Sequence, residues 1–362
     1  MPTGGCDGAG GVAAQAVCVP SVTDFFARGR CADAKIRPMK AIVMHERGGA
    51  EVLRYEDVAM PVPRAGEVLL RVHAATVNHT DLFHRSGQFF IRKPLPHILG
   101  MDVAGEIAEL GAQVDGWRVG DKVVATFEAL GRERDGAYAE YTCVPASELH
   151  RIAQPLDFVA AASIGLAFTT AWTALLTTAV LGHDDRVVVH AAASGVGSAA
   201  VQSARWKGAQ VIAICDAAKA GRMRELGAAS VIDRGAEDLP ALVLAATGGR
   251  GASLVLELVG RSTLQHSIAM LADGGRIVCV GTLSGDVAQI NVMDLIMKRG
   301  TIKGSFQSIA RDDFDTVLRL FADGTFEPVI DSVLPLAQAR AAHERIESKQ
   351  VFGKIVLVPS AD

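Results

Sequence analysis

The sequence has little of what marks the specialised classes of protein. Only 5% of its 362 residues are aromatic, and 36 lysines and arginines stand against 40 acidic residues, which gives a formal net charge of −4. Because nucleic acids and anionic membranes attract basic surfaces, this balance favours neither as a partner. The six cysteines are too few for a disulfide scaffold and show no C-x-x-C spacing, so we expect a reducing, cytoplasmic location.

Charge is absent from residues 158–182, a stretch of 25 residues with the length of a membrane span. The stretch contains repeated threonines and two glycines, which make it less apolar than a helix that crosses a bilayer normally is. It therefore predicts a buried helix and loop.

The first 38 residues lack a basic leader and a dense apolar core, so they make a poor secretory signal. They are rich in glycine and alanine. We expect a disordered extension here, with Met39 as an alternative native start.

Strand patterns dominate the first third of the chain and alternate with helix patterns in the middle. Such alternation predicts βαβ crossovers and a parallel sheet, and strand-like segments return near the C-terminus. We therefore expect an α/β protein in three parts: the extension over 1–38, a β-rich domain over 39–160 and 299–362, and a doubly wound parallel-sheet domain over 161–298.

A glycine-rich turn, Ala-Ala-Ala-Ser-Gly-Val-Gly, connects a predicted strand at 186–190 to a predicted helix and fits the fingerprint A-x-x-G-x-G. Glycines let the backbone approach a pyrophosphate, and free N–H groups at the helix start stabilise its charge. The turn predicts a dinucleotide site, the alternative being a tight turn that uses glycine for packing alone. The residues of this site are Ala192, Ser194, Gly195, Val196 and Gly197.

The choice between NAD and NADP depends on the end of the next predicted strand. Asp216 lies 19 positions beyond Gly197, where a carboxylate accepts hydrogen bonds from a ribose diol and repels a 2′-phosphate. Lys219, Arg222 and Arg224 follow, and they would pair with that phosphate. The sequence leaves both cofactors open, and these charges are alternatively solvated residues at a helix start.

Eight segments form an ordered set from residue 39 to about residue 358: MKAIVMHERG, VNHTDLFHRSG, ILGMDVAGEI, WRVGDKVV, GAYAEY, FTTAWTAL, HAAASGVG and GKIVLV. Together they resemble the medium-chain dehydrogenase/reductase superfamily, and within it the zinc-free quinone oxidoreductase branch. The resemblance implies a GroES-like catalytic domain and a Rossmann domain, with the active site in the cleft between them.

The resemblance also implies that zinc is absent. In the zinc alcohol dehydrogenases of this superfamily, the segments matching VNHTD, ILGMD and IGLAF supply a cysteine, a histidine and a second cysteine. Here those positions are Asn78, Met101 and Leu166, none of which suits a catalytic zinc. The stretch 127–138 contains no cysteine for the structural zinc loop of those relatives.

Alcohol oxidation normally needs a metal to stabilise the alcoholate. Reduction of a quinone or of a conjugated enone or alkenal does not, because neutral hydrogen-bond donors can stabilise the developing oxygen charge. The resemblance implies Asn78 as a hydrogen-bond donor to the developing oxyanion. Thr80 lies where zinc alcohol dehydrogenases carry a proton-relaying hydroxyl, so we predict that it donates the proton. Quinone reductases often have tyrosine at the position of Phe83, so a phenolic proton donor is absent there. Asp102 lies where the zinc relatives carry an acidic residue beside the metal, and the alternative role for it here is to cap local backbone amides.

The other candidate residues follow from the same resemblance. The histidines of VNHTDLFH lie where zinc relatives place no ligand, so we expect structural or substrate-lining roles for them. The predicted substrate pocket contains Phe83, His84, Phe89, Phe127, Leu166 and Leu283. The predicted cofactor contacts outside the turn are Thr170, Asp216, Lys219, Gly281, Phe306 and Lys354, the last alternatively a charge at a strand edge.

Other functions stay open. An enoyl-CoA or other enoyl-thioester reductase would need a basic patch for pantetheine phosphates, for which Arg85, Arg92 and Lys93 are candidates. A zinc-free alcohol dehydrogenase-like protein and a non-enzymatic binding protein are further alternatives, although the acidic balance and the glycine turn argue against the latter. Residues 289–300 look like the sheet end that pairs across a two-fold axis in relatives, so a homodimer acting on a small molecule is expected.

Overall fold

The computed structural model describes residues 37–89, 93–126, 129–306 and 309–359. The predicted extension over 1–38 lies outside these residues except for its last two, and Phe127 and Arg92 also lie outside them. From Pro38 onward the described residues belong to one compact unit, which contains three sheets.

The elements follow one another along this unit. The strands are β1 (Pro38–Met44), β2 (Leu53–Ala59), β3 (Glu67–Val77), β4 (His97–Ile98), β5 (Asp102–Leu110), β6 (Lys122–Thr126), β7 (Tyr141–Pro145), β8 (His150–Arg151), β9 (Arg186–Val189), β10 (Gln210–Cys215), β11 (Ser230–Asp233), β12 (Ala252–Glu257), β13 (Leu271–Cys279), β14 (Thr301–Gly304), β15 (Ile330–Pro335) and β16 (Lys354–Val358). The helices are α1 (His79–Ser86), α2 (Phe158–Trp172), α3 (Gly195–Trp206), α4 (Ala220–Glu225), α5 (Leu239–Ala246), α6 (Leu264–Ala269), α7 (Val292–Met297), α8 (Arg311–Ala322) and α9 (Ala339–Glu347).

Both ends of the described chain build the β-rich part. A three-stranded sheet has the order β2-β1-β4, and a seven-stranded sheet has the order β15-β16-β3-β5-β6-β8, with β7 also paired to β3. In the larger sheet β16 runs antiparallel to β3, with Ile355 opposite Val77. The strand-like segment GKIVLV therefore returns to the first third of the chain, as the sequence predicts.

The middle of the chain forms a doubly wound sheet. Its six strands are all parallel, in the order β11-β10-β9-β12-β13-β14. The order reverses between β9 and β12, and ligands of such sheets bind at the carboxyl ends of the strands at this switch point. Because β14 pairs with β13, the sheet extends beyond residue 300. The predicted boundary between residues 298 and 299 therefore lies too early.

The uncharged stretch forms α2 and a π-helical turn over Thr173–Thr178. These 21 residues are long and apolar enough to cross a membrane, but most of them are buried inside the protein, as expected of a core helix. The predicted buried helix is confirmed. An aromatic cluster packs on it: Phe168 meets Phe321 edge-to-face with centroids 4.7 Å apart, and Trp172 stacks on Trp206 at 5.2 Å. The helix also shares one hydrophobic cluster with Ala104 of β5 and Val187 of β9, so it joins the parallel sheet to the β-rich part.

Candidate active site

The glycine-rich turn has the geometry of a phosphate-binding turn. It follows β9, and Ala191 within it adopts a left-handed backbone with φ +46°. Ser194 is the N-cap of α3, where its hydroxyl accepts a hydrogen bond of 3.1 Å from the N–H of Gly197. A Cβ at Gly197 would lie 2.3 Å from the carbonyl oxygen of Ala191, so glycine is required there. The predicted turn residues therefore meet at one helix N-terminus, which favours an anion.

Asp216 follows β10, the strand beside β9, and is surrounded by cations. It forms ion pairs with Arg234 and, at 3.4 Å, with Lys219. Burial opposes its ionisation, but these cations outweigh burial and hold the pKa of the carboxyl below its ordinary value. The ammonium of Lys219 also donates to the carbonyl oxygens of Lys349, at 3.0 Å, and Val351, at 2.9 Å. Lys219 thus has three acceptors already.

The phosphate-binding turn lies against the start of β16. Ser194 forms an isolated parallel bridge with Gly353, and a Cβ at Gly195 would lie 2.7 Å from Cδ of Lys354. Lys354 therefore passes directly beside the turn. The part of Lys354 that lies beside the cofactor turn is its aliphatic stem. Its ammonium group extends past the turn to Asn78.

The ammonium of Lys354 ends in a buried polar centre at the start of α1. It donates a short hydrogen bond to Oδ1 of Asn78 and lies 3.4 Å from Oδ2 of Asp102. Nδ2 of Asn78 donates to the same carboxylate oxygen at 2.9 Å. All three side chains are at least nine-tenths buried. The predicted oxyanion donor, Asn78, therefore lies between a buried cation and a buried anion.

Asp102 opens β5 and has a full set of hydrogen-bond donors. The hydroxyls of Thr76 and Thr126 donate to it at 2.5 Å each, and the N–H of Leu166 donates at 2.7 Å. Burial opposes its ionisation, but the charge of Lys354 and these side-chain hydrogen bonds hold the pKa of Asp102 below its ordinary value. The backbone amide that Asp102 binds is that of Leu166, 64 positions along the chain and not a local one as expected, and the ion pair with Lys354 is a second role.

The glycine before Leu166 makes room for this carboxylate. Gly165 interrupts α2 with φ −17° and ψ −117°, and a Cβ there would lie 2.2 Å from Oδ1 of Asp102. Leu166 therefore contributes its backbone N–H to the centre, in addition to the predicted side-chain role in the pocket.

Among the described residues, no group of three or more His, Cys, Asp and Glu side chains is arranged to hold a metal ion.

A second buried cluster fixes the start of α1. Asp81 accepts hydrogen bonds from the N–H of Asn78 at 2.8 Å, the N–H of Gly100 at 3.2 Å and the hydroxyl of Tyr138 at 3.2 Å. Burial raises the pKa of Asp81 to about 7. The hydroxyl of Tyr138 also lies 3.2 Å from Nε2 of His343 on α9. The sequence did not indicate this cluster.

The basic patch proposed for an enoyl-thioester is not available as such. Arg85 is 3% exposed, pairs with Glu347 and lies 3.2 Å from Nδ1 of His343. Lys93 pairs with Asp135 at 2.5 Å. The expectation that these side chains take pantetheine phosphates is therefore wrong for Arg85, because α9 covers it.

The predicted pocket residues divide by their exposure. Thr80 and Phe83 lie on α1, the helix that Asn78 caps, and are half-buried. His84, on the same helix, is buried against Phe89 with ring centroids 4.2 Å apart, and burial lowers its pKa to about 4. Leu283 is 37% exposed, so it does not belong to the core.

The predicted cofactor contacts beyond the turn lie on several elements. Thr170 is half-buried on α2, and Phe306 is exposed after β14. Gly281 follows β13, where a Cβ would lie 2.5 Å from the carbonyl oxygen of Leu258. The neighbouring loop is held by Glu257, which accepts from the N–H groups of Val259 at 2.8 Å and Gly260 at 3.0 Å.

The part of the site that sequence reasoning missed is the pairing of Lys354 with Asp102. The signal was present, since Lys354 begins the otherwise apolar strand of GKIVLV, and Asp102 in MDVAGEI is followed directly by three small or apolar residues. A buried charge at the start of an apolar strand demands a partner of opposite sign. Which charge is that partner could not be read, because 252 positions separate the two residues.

Two families of known proteins match the chain. Residues 64–154 match the alcohol dehydrogenase GroES-like domain, and residues 195–323 match the zinc-binding dehydrogenase family. A quinone oxidoreductase from Sus scrofa is 32% identical over 328 residues, covering 88% of this chain and 98% of the relative. A 2-haloacrylate reductase from Burkholderia sp is 31% identical over 338 residues, covering 89% and 99%.

Solved structures show the same architecture. The crystal structure of an NAD-dependent alcohol dehydrogenase is similar with a TM-score of 0.84 and 35% identity, over 89% of this chain and all of that one. A mycobacterial protein complexed with NADPH is similar with a TM-score of 0.79 and 31% identity, over 89% of this chain and all of that one. The chain therefore belongs to the medium-chain dehydrogenase/reductase superfamily, in its quinone oxidoreductase-like branch, and is an NAD(P)H-dependent oxidoreductase with a GroES-like and a Rossmann-type part.

Proposed function

We propose that the protein reduces the conjugated C=C–C=O group of a small enone or alkenal, or a quinone, with NADH and without zinc. The observation that carries this proposal is the Asn78 amide, held between Lys354 and Asp102 beside the dinucleotide turn. A neutral amide donor stabilises a developing enolate or hydroquinone oxygen without a metal. The relatives named quinone oxidoreductase and 2-haloacrylate reductase support this substrate class.

Zinc independence is supported by the chemistry of the donor set. Asn78, Met101 and Leu166 stand at the positions that carry ligands in zinc relatives, and Met101 is fully buried. A zinc ion beside Asn78 would also lie next to the ammonium of Lys354, which repels it. The matched zinc-binding dehydrogenase family covers residues 195–323, which include none of these positions.

The turn and its neighbours fit a dinucleotide. The N–H groups from Ser194 to Gly197 would hold the pyrophosphate, and Asp216 would accept hydrogen bonds from the adenosine ribose. We favour NADH because the Asp216 carboxylate would repel a 2′-phosphate. The neighbouring Lys219 is already hydrogen-bonded to two carbonyl oxygens, so its ammonium is not free to pair with that phosphate. When bound, the reduced nicotinamide supplies a hydride. Thr170, Gly281, Leu283, Phe306 and the stem of Lys354 are the remaining proposed contacts.

The proton that reduction consumes would come from α1. Thr80 lies in the first turn of α1, two residues after the N-cap Asn78, and is half-buried. Its hydroxyl would donate a proton to the reduced substrate and be reprotonated by water. Phe83 and Leu166 would provide apolar walls, which discriminate weakly among small acceptors.

A homodimer is proposed from the edge of the parallel sheet. Within the described residues β14 pairs only with β13, so its outer edge is open. The nearby helix α7 exposes Met293, Ile296 and Met297, with 72% of Met297 accessible. A second copy would cover both the open edge and these apolar side chains.

The test is the oxidation of NADH and NADPH followed at 340 nm. The acceptors are a quinone, an enal, an enoyl-CoA ester, a 2-haloacrylate and a saturated aldehyde, and the metal content of the same sample is measured. We expect NADH oxidation with the quinone or the enal and less than stoichiometric zinc. One equivalent of zinc together with turnover of the saturated aldehyde would contradict the proposal.

A further inference from the structure

The orientation of the Asn78 side chain is determined by the chemistry of its neighbours. An ammonium group has only protons to give, so the atom of Asn78 that contacts Lys354 must be the carbonyl oxygen Oδ1. Asp102 is acceptor-only when ionised, so the atom that contacts it must be Nδ2. A flipped amide would place its NH₂ group against an ammonium and its oxygen against a carboxylate. The two charges thus permit one orientation of the amide.

This orientation leaves one N–H of the amide without a partner inside the protein. Nδ2 carries two protons, and among the described residues only Asp102 accepts one of them. Asn78 is 8% exposed, is the N-cap of the helix that carries Thr80, and is linked to the dinucleotide turn through Lys354, so the remaining N–H is the group that a substrate oxygen can meet.

The cation also changes the strength of this donor. A positive charge hydrogen-bonded to the oxygen of an amide withdraws electron density from its nitrogen, and hydrogen bonds in such a chain strengthen one another in a buried site. The N–H of Asn78 is therefore a better donor to a developing oxyanion than an isolated amide would be. Asp102 keeps the cation in place, and Thr76, Thr126 and Leu166 keep Asp102 in place.

We propose that Lys354 is a positioning residue for catalysis, which together with Asp102 orients and polarises the Asn78 amide as the oxyanion donor. The inference rests on the proposed function, because it assigns Asn78 a reacting oxygen. Lys354 makes no contact with the substrate itself. It acts through Asn78, and its removal should therefore matter only while Asn78 is present.

A double-mutant cycle tests this dependence. Lys354→Met keeps the aliphatic stem beside Gly195 and removes the charge. With the intact Asn78, it should lower kcat about 100-fold with little change in KM, which is the size of the loss when one oxyanion donor is removed. In the Asn78→Ala background the same substitution should lower kcat less than about threefold. Lys354→Arg, which keeps a cationic donor, should retain most of kcat.

Equal losses from Lys354→Met in both backgrounds would overturn the inference, because a merely structural lysine would act independently of Asn78. NADH affinity and the unfolding midpoint are measured for every variant. If Lys354→Met does not fold, Lys354→Gln replaces it, since this side chain is neutral and polar. The expected kcat loss and its dependence on Asn78 are the same.

A second measurement observes the Asn78 side-chain amide by NMR and does not depend on enzyme turnover. The chain contains only two asparagines, Asn78 and the exposed Asn291 on the surface beside α7, so asparagine labelled with ¹⁵N gives two side-chain NH₂ groups in an NMR spectrum. The signals missing in Asn78→Ala identify Asn78, and those of Asn291 serve as an internal reference.

The wild-type Asn78 signals should exchange slowly with solvent and differ strongly from those of Asn291. In Lys354→Met the ¹⁵N and ¹H shifts of Asn78 should move toward the Asn291 values, whereas Lys354→Arg should leave them close to wild type. Unchanged Asn78 signals in Lys354→Met would overturn the inference. If no acceptor supports NADH oxidation, the proposed function fails instead, and the NMR result still decides whether Lys354 orients the amide.

Discussion

The backbone N–H of Gly353 donates a hydrogen bond of 2.8 Å to the carbonyl oxygen of Ala193. Through this contact the last residue before β16 is fixed to the turn that would hold the cofactor phosphates. The next residue, Lys354, reaches the Asn78 amide. The cofactor turn and the oxyanion donor are therefore connected by two consecutive residues. We expect a change in the turn to weaken cofactor binding at a stability at which the protein still folds.

Gly197→Ala tests the turn. The new methyl group would lie 2.3 Å from the carbonyl oxygen of Ala191, so the turn must shift and its N–H groups would no longer point at the cofactor pyrophosphate. We expect the Kd for NADH to rise at least about tenfold, and the free energy of unfolding to fall by about 1–3 kcal/mol from overpacking. Both are measured, by nucleotide fluorescence titration and by urea unfolding.

Gly221→Ala is the matched control for that substitution. Gly221 lies in α4, and a Cβ there has no neighbour within 4 Å. The alanine should leave NADH affinity unchanged and stabilise the protein by up to about 1 kcal/mol, since alanine favours helices. An equal loss of NADH affinity in both variants would show that the turn is not the phosphate site.

Asp216→Ser tests the choice of cofactor. Removing the carboxylate takes away the acceptor for the ribose diol and frees Arg234 to meet a 2′-phosphate. The ratio of kcat/KM for NADH to that for NADPH should fall about tenfold, equivalent to about 1.4 kcal/mol. Asp233→Ser, which changes an exposed carboxylate at the end of β11, should leave the ratio unchanged. A wild-type enzyme that prefers NADPH would refute the role given to Asp216.

Thr80→Ala tests the proton donor. Loss of the hydroxyl should lower kcat about 100-fold and change the pH dependence of kcat, because a positioned acid contributes at least this much. Thr80→Ser should restore most of the activity, and Ser86→Ala, an exposed position on the same helix, should have no effect. The same kcat and pH profile in Thr80→Ala would leave water as the proton source.

His84 predicts an acid sensitivity of the fold. Its ordinary pKa is 6.5, and burial against Phe89 lowers it to about 4. The unfolded chain therefore takes up a proton between pH 6.5 and about 4 that the folded protein does not. This contribution to stability is complete above pH 6.5 and is lost as the pH falls through that range.

His84→Phe should remove this contribution. Between pH 7.5 and 4.5 the free energy of unfolding should fall by about 2 kcal/mol less in the variant than in the wild type. Urea unfolding at several pH values measures it. His183→Gln, at a position 82% exposed, is the control and should follow the wild-type pH dependence. Identical slopes for His84→Phe and wild type would contradict the burial effect.

The sequence predicts what local patterns specify and misses what distant segments bring together. The turn from Ala192 to Gly197 is predictable because strand, glycines and helix are contiguous. Arg85 looks like a surface cation on a short helix, and it is buried only because α9, more than 250 positions later, supplies Glu347 and His343. The sequence predicts the wrong sheet for β14, because the residues of a four-residue strand do not indicate which sheet it joins.

Met297→Glu tests the proposed homodimer. Met297 is 72% exposed on α7, next to the open edge of β14, so a second copy covering this face would bury the new charge without a partner. The mass by light scattering should fall from that of a dimer to that of a monomer of 38.0 kDa, with NADH affinity little changed. Val62→Glu introduces the same charge at an apolar residue that is 78% exposed in the β-rich part, so the dimer should persist in that variant. A monomeric wild type would refute the interface directly, and a dimer that survives Met297→Glu would move it to another face of the protein.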